Sequence, residues 1–296
     1  MRETGKGPNG NRVSTVLGRR LGGELQRLRV DAGRTQRQAA DVLSATPTKV
    51  VKMEGGAVPI RDPDIQALCR EYGVRDAEKV RSLLDLAKTD RERRKVRGWW
   101  DDSMLPNKQA VYISMEDGAL RNRQWQMGLI PGLLQTAEYV RAIGVADMPW
   151  EDLDQIEAVV TGRLKRQQRL YGDRPLLMHT VIWEAALRQL VGGEEVMRRQ
   201  LYHLLELSEL PNVHIQVLPF RAGGHAGVSG PFNILSFGEE QAVDVVHMDT
   251  PRSEIWIEDA ERSGVFSDMF KSLTMVSMSP YDSSQFIASI AKGLST

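Results

Sequence analysis

The chain has 296 residues, 41% of them apolar and 26% charged, which is globular composition with material for two domains. No apolar run approaches the roughly 18 residues of a membrane span. Residues 1–12 lack the apolar stretch of a secretory leader, and the single cysteine, Cys69, excludes an internal disulfide and a cysteine-based zinc site, so a cytoplasmic location is expected. The net charge of zero conceals segregation. Residues 1–98 carry 22 Lys and Arg against 13 Asp and Glu, whereas the rest carry 17 against 26. A basic segment joined to an acidic one suggests that the first part faces nucleic acid and the second something else.

The first segment reads as short helices with explicit stops. Leu17, Leu21, Leu25 and Leu28 form one helical stripe that Gly33 ends. Thr35 opens a helix over Gln36–Leu43, with Ala39, Ala40 and Leu43 as its apolar face, and Ser44-Ala45 make a turn. Thr46 is an N-cap followed by Pro47 at the first helical position, where a missing N–H costs nothing. Val50 and Met53 face inward, and Gly55-Gly56 stop this helix. Asp62-Pro63 repeats the cap-then-proline signature for a helix that Gly73 closes, and a fifth helix runs from about Asp76 into the basic run Arg91–Arg97. Gly98-Trp99-Trp100 then marks a boundary. Trp99 and Trp100 fit two roles, packing the linker onto the second domain or anchoring a partner.

Beyond the boundary the pattern is α+β. Leu120, Met127 and Ile130 fit a helix stopping before Pro131-Gly132, and Leu133–Ile143 fits another. Leu176–Trp183, Val213–Leu218, Phe232–Phe237 and Val243–Met248 read as strands; Glu184–Leu190, Glu194–Leu210, Asp259–Met275 and Pro280–Ala291 read as helices. The expected organisation is a disordered tail over 1–12, an all-α helix-turn-helix domain over 13–75, a linker helix over 76–98 and an α+β domain over 99–296.

Chemistry concentrates in the helix-turn-helix pattern of Gln36–Glu54. At 100° per residue Val50, Met53 and Glu54 share one side of the second helix, and Thr48, Val51 and Lys52 share the other with Lys49 at its edge. Thr48 can bond a base or phosphate, Val51 can touch a thymine methyl and Lys52 can reach guanine acceptors. Gln36, Arg37 and Thr46 stand at helix starts, where side chain and backbone N–H together favour phosphate. The same pattern also describes a small helical domain with an ordinary solvated face.

Residues 17–74, with TQRQAADVL, TPTKVVKMEGG and DPDIQALCREYGV, resemble the XRE (Cro/repressor-like) helix-turn-helix domain. The resemblance implies a five-helix fold that acts as a homodimer on a two-fold, double-stranded operator, with Gln36, Pro47, Thr48, Lys49 and Lys52 at the family's DNA-facing positions. Two departures stand out: Ser44 replaces the turn glycine, and Pro47 holds a base-reading glutamine position without a donor. GLIPGLLQTAEYVRA (128–142), residues 191–237 and IWIED (255–259) are similar to the C-terminal domain of actinobacterial WhiJ-like regulators. That resemblance implies a transcription regulator whose second domain senses or binds, often through a small protein partner encoded nearby, and it brings no catalytic residue and no cofactor.

An enzyme is not expected. The histidines, His179, His203, His214, His225 and His247, form no metal-binding pair at helical spacing, and Ser229 lacks a nucleophile-elbow context. The glycine-rich loop Arg221–Gly230 around His225 joins strand to strand, so it lacks phosphate-loop geometry. The alternatives are a small-molecule-sensing repressor and an antitoxin-like protein-interaction module.

Overall fold

Caps and glycines divide the first unit into five helices. In the computed structural model, which describes residues 16–94, 107–147, 153–238, 243–250 and 253–294, they are α1 (Val16–Asp31), α2 (Gln36–Val42), α3 (Pro47–Glu54), α4 (Asp62–Glu71) and α5 (Ala77–Arg93). Thr35 starts α2 with a reciprocal capping box: its hydroxyl accepts from Gln38 N at 3.2 Å, and Gln38 Oε1 accepts from Thr35 N at 2.9 Å. Thr46 caps α3, accepting from Lys49 N at 3.3 Å, with Pro47 as its first residue. The cap of α4 falls one residue earlier than its sequence suggests. Arg61, in extended backbone, occupies the N-cap without a side-chain cap bond, and the Asp62 carboxylate pairs with Arg91, 2.8 Å away.

Leu21 and Leu25 of α1, Ala39 and Ala40 of α2, Val50 and Met53 of α3, and Ile65, Leu68 and Cys69 of α4 form one core. The helix expected as a linker belongs to that core, since α5 buries Leu83 and Ala87 in it. The basic run at its end is also partly structural. Arg91 Nη1 donates to Ile60 O at 2.7 Å, Arg94 Nη2 donates to Gly56 O at 2.7 Å, and Arg94 pairs with buried Asp90 at 2.8 Å. Trp99 and Trp100 lie outside the described residues.

The second unit is built on a six-stranded mixed sheet of order β3-β2-β1-β4-β5-β6. Its elements are α6 (Asn107–Gly118), β1 (Arg121–Gln126), α7 (Ala137–Asp147), α8 (Leu153–Gln167), β2 (Leu177–Trp183), α9 (Glu184–Arg188), α10 (Glu194–Ser208), β3 (Val213–Leu218), β4 (Phe232–Ser236), β5 (Val245–Asp249), β6 (Glu254–Ile257), α11 (Ala260–Val276) and α12 (Pro280–Gly293). β1, β2 and β3 are mutually parallel and need crossovers, supplied by α7–α8 and by α9–α10. β4, β5 and β6 continue antiparallel from β1.

The helix expected to include Leu120 and Met127 is instead β1, with a 3-10 turn at Gly132–Leu134 before α7. Period 2 decides its two faces. Trp125 joins Val181, Phe232, Ile234 and Val246 against Phe270 and Leu273 of α11, while Asn122 and Gln124 are buried on the opposite face. A central strand with buried amides on one side does not advertise itself by hydrophobicity.

Candidate nucleic-acid interface

The second helix of the helix-turn-helix pair is positioned by its buried side and leaves the other open to solvent. Val50 is 1% and Met53 2% exposed, whereas Pro47, Thr48, Val51 and Lys52 on α3 lie open to solvent. Arg37 on α2 and Thr46 before α3 are exposed as well. Thr48, Val51 and Lys52 thus form the outward face that spacing predicts, combining a hydroxyl, a methyl pair and an ammonium group, the chemistry that meets base edges in a major groove.

Two of the residues singled out from sequence are tied inward. Gln36 Nε2 donates to Glu54 Oε2 at 2.8 Å, so the side chain at the start of α2 grips the end of α3. Lys49 Nζ lies 3.5 Å from Asp64 Oδ2, a carboxylate that also accepts from Arg61. Both link elements within the unit, and neither sits freely on the outward face.

Three further positions shape the site, and of these only Gly22 escaped the sequence reading. Glu54, placed on the inward side by periodicity, is a buried carboxylate held by Arg29 of α1 through Nε at 2.5 Å and Nη2 at 3.1 Å. Gly22 lies so close to the last turn of α3 that a Cβ there would overlap the carbonyl oxygens of Met53 and Glu54. The glycine pair at 22–23, inside an otherwise regular leucine stripe, was the available signal. Ser44, in the turn between α2 and α3, takes φ +49°, the left-handed conformation that a glycine would adopt without strain.

The histidines of the second unit are engaged with neighbours. His179 Nε2 is 2.8 Å from Gln216 Oε1 with its ring edge-on to Phe270, and burial holds its pKa below the ordinary histidine value. His225 packs on Trp125 and accepts from Gly227 N, while the Trp125 indole donates to Gly227 O at 2.9 Å, which pins the glycine-rich loop to the sheet. Among the described residues no group of three His, Cys, Asp or Glu side chains is placed to hold a metal ion. No helix among them is long and apolar enough to cross a membrane.

Comparison with known proteins agrees with this division. Residues 20–83 match a family described as a helix-turn-helix domain, a span that runs from α1 into α5. Residues 109–289 match a family described as a domain of unknown function (DUF5753), which takes in the whole six-stranded sheet. Neither the curated proteins nor the solved structures give a match. With more than half of its length accounted for by that second match, the chain belongs to the DUF5753 family and carries a helix-turn-helix domain ahead of it.

Proposed function

We propose that the chain is a sequence-specific, DNA-binding transcription regulator of the WhiJ-like kind, acting in the cytoplasm as a dimer on a two-fold operator. The observation that carries this reading is the exposed face of Thr48, Val51 and Lys52, on a helix whose opposite face is locked by Val50, Met53 and Glu54. One such head buries little surface and reads few base pairs, so genomic specificity calls for two half-sites about one helical turn apart. The test is selection of genomic fragments by the purified chain, followed by light scattering on the recovered duplex. Two chains per duplex, with affinity that falls on scrambling the site, is the expected result. Equal affinity for selected and scrambled DNA at one salt concentration sinks the reading.

The second domain acts in this proposal by binding rather than catalysis, and its partner is a small protein encoded nearby. Exposed Met275 and Tyr281, at the corner between α11 and α12, support a protein-facing surface there. Co-expression with the adjacent small reading frame tests it, and failure to co-elute removes the partner. The small-molecule reading is favoured by a separate observation, a polar cavity inside the same domain.

A further inference from the structure

The polar face of the sheet floors a cavity of about 350 Å³, within the range of small-ligand sites. Gln124, Asn233 and His247 stand side by side across β1, β4 and β5, by the strand register, and all three line it. At the strand spacing, the row from Gln124 to His247 spans roughly 10 Å. Gln126 Nε2 bonds Asn233 Oδ1 at 3.3 Å, and Asn233 Nδ2 lies 3.4 Å from His247 Nδ1, so the floor is held in place. α6 and α8 contribute Tyr112, Arg163 and Arg166, and the segment after β1 contributes Gly132 and Gln135.

The charges on this cavity do not balance locally. Arg166 is answered by Glu116, through Nε at 2.8 Å and Nη2 at 3.1 Å, and that carboxylate also accepts from Asn122 at 3.1 Å. Arg163 has no carboxylate of its own among the described residues. Its guanidinium lies directly against the Cα of Gly132, where a Cβ would overlap Nη1. Burial, then the charge of Arg166, push its pKa down to about 9, which leaves it a cation near neutrality. Two further groups want partners: Gln124 Oε1 and Gln135 Oε1 are buried acceptors that no described donor reaches. Their residues are only 3% and 4% exposed. Burying an acceptor without a donor is costly, so a molecule that supplies one is stabilised there. Asp249 and Glu254, paired in register across β5 and β6, add carboxylates to the cavity lining.

We propose that this cavity is a binding site for a small zwitterion of the amino-acid class, with its carboxylate on Arg163 and its ammonium or amide hydrogens on Gln124 and Gln135 towards the acidic edge of Asp249 and Glu254. A bare anion meets the cation and leaves both amide oxygens unanswered. A bare cation leaves Arg163 unanswered. The site takes its occupant whether or not that occupant changes operator affinity, so the test is made without DNA.

The full chain is melted with each of the twenty amino acids separately, and with inorganic phosphate, acetate and ethanolamine. At a hundredfold excess over Kd, a ligand of the native state raises the melting temperature of the second domain by roughly 5–10 °C. The expected result is such a rise with at least one amino acid and with none of the other three probes. Arg163→Gln abolishes it. Gly132→Ala keeps the charge but pushes the guanidinium away from its seat, and weakens the response at least tenfold in the concentration required. A rise as large in Arg163→Gln as in the parent overturns the proposal, as does a response to phosphate or acetate alone. No response to any probe does the same, since the cavity then holds water only. If Arg163→Gln does not fold, Gly132→Ala and isothermal titration of the parent chain decide.

Discussion

Arg29 of α1 clasps Glu54 of α3 with two nitrogens, at 2.5 and 3.1 Å, while Gln36 of α2 donates to the same carboxylate at 2.8 Å. One buried carboxylate therefore joins the three helices that carry and present the exposed face of α3. Removing only the acid strands a buried guanidinium, and breaking a pair of this kind costs about 3–5 kcal/mol. Glu54→Ala should unfold the first unit at markedly lower denaturant. The double change Arg29→Met, Glu54→Leu should recover most of the loss, because apolar replacement of a buried pair is often neutral or better. Equilibrium unfolding of the parent, Glu54→Ala and the double variant measures both. A double variant no better than Glu54→Ala would show that the pair specifies the fold in a way packing does not replace.

Gly22 and Gly23 are neighbours in sequence with opposite constraints. A Cβ at Gly22 meets the backbone oxygens of α3, whereas a Cβ at Gly23 meets nothing within 4 Å. Backbone cannot move aside cheaply, so Gly22→Ala should lever α3 off α1 and lower both stability and DNA affinity. Gly23→Ala, in an exposed helical position, should stabilise by about 0.5–1 kcal/mol through reduced backbone entropy of the unfolded chain. Thermal melts of the two variants check the contrast, and equal shifts would contradict the close approach.

Ser44 holds φ +49° in the turn between α2 and α3. A non-glycine residue there costs about 1–2 kcal/mol, against about 0.5–1 kcal/mol for the greater chain entropy that glycine loses. Ser44→Gly should therefore be stabilising by up to about 1 kcal/mol, with no change in the exposed groups of α3. Differential scanning calorimetry reads it directly, and a lower melting temperature would mean that the Ser44 side chain supplies an interaction that outweighs its strain.

What could be read in advance follows the physics of each signal. Caps such as Thr35 and Thr46 are local, so the helix starts they set at α2 and α3 were legible to the residue. The apolar strands β2 and β3 declared themselves through Leu176–Trp183 and Val213–Leu218, close to their observed limits. β1 did not, because Arg121-Asn-Arg-Gln-Trp-Gln126 hides a central strand behind polar residues whose partners, Glu116, Tyr112 and Asn233, lie far along the chain or in other elements. For the same reason the outward face of α3 was legible from 100° periodicity, while the inward ties of Gln36 to Glu54 and Lys49 to Asp64 were not. Periodicity states which side a residue is on, and only packing states what it meets.

Acid should weaken the second domain through His179. Burial, aided by the charges of His214, Arg123 and Arg121, holds its folded pKa below the ordinary value, against the opposing hydrogen bond of Gln216. Below about pH 6.5 the unfolded chain binds a proton that the native state resists, so stability is full above that pH and falls as pH drops towards the folded pKa. His225, shifted the same way by burial, adds to the slope. Denaturation midpoints between about pH 7.5 and 5 should fall less steeply in His179→Gln than in the parent. Parallel curves would assign the acid sensitivity to other groups.

On the proposed DNA-binding reading, the exposed face of α3 should separate base reading from structural support. Thr48 and Lys52 are one helical turn apart and exposed, and among the described residues Lys52 is drawn into no ion pair, while Lys49 is turned to Asp64 and Gln36 to Glu54. On the proposed reading Lys52 is the long cation of this face that meets base edges, and Lys52→Ala should cost about 1–3 kcal/mol on the selected operator and little on random duplex. Gln36→Ala should act differently, loosening the seat of α3 and weakening both duplexes alike, with a loss of folding stability that Lys52→Ala lacks. Pro47 has no N–H to give, so Pro47→Ala should mainly unsettle the start of the helix. Binding isotherms at fixed salt on operator and scrambled DNA separate the cases, and a salt slope reduced by about one for Lys52→Ala, with equal losses on both duplexes, would make Lys52 a phosphate clamp. Base reading would then pass to Thr48 and Val51, whose hydroxyl and methyl groups share the same exposed side of α3.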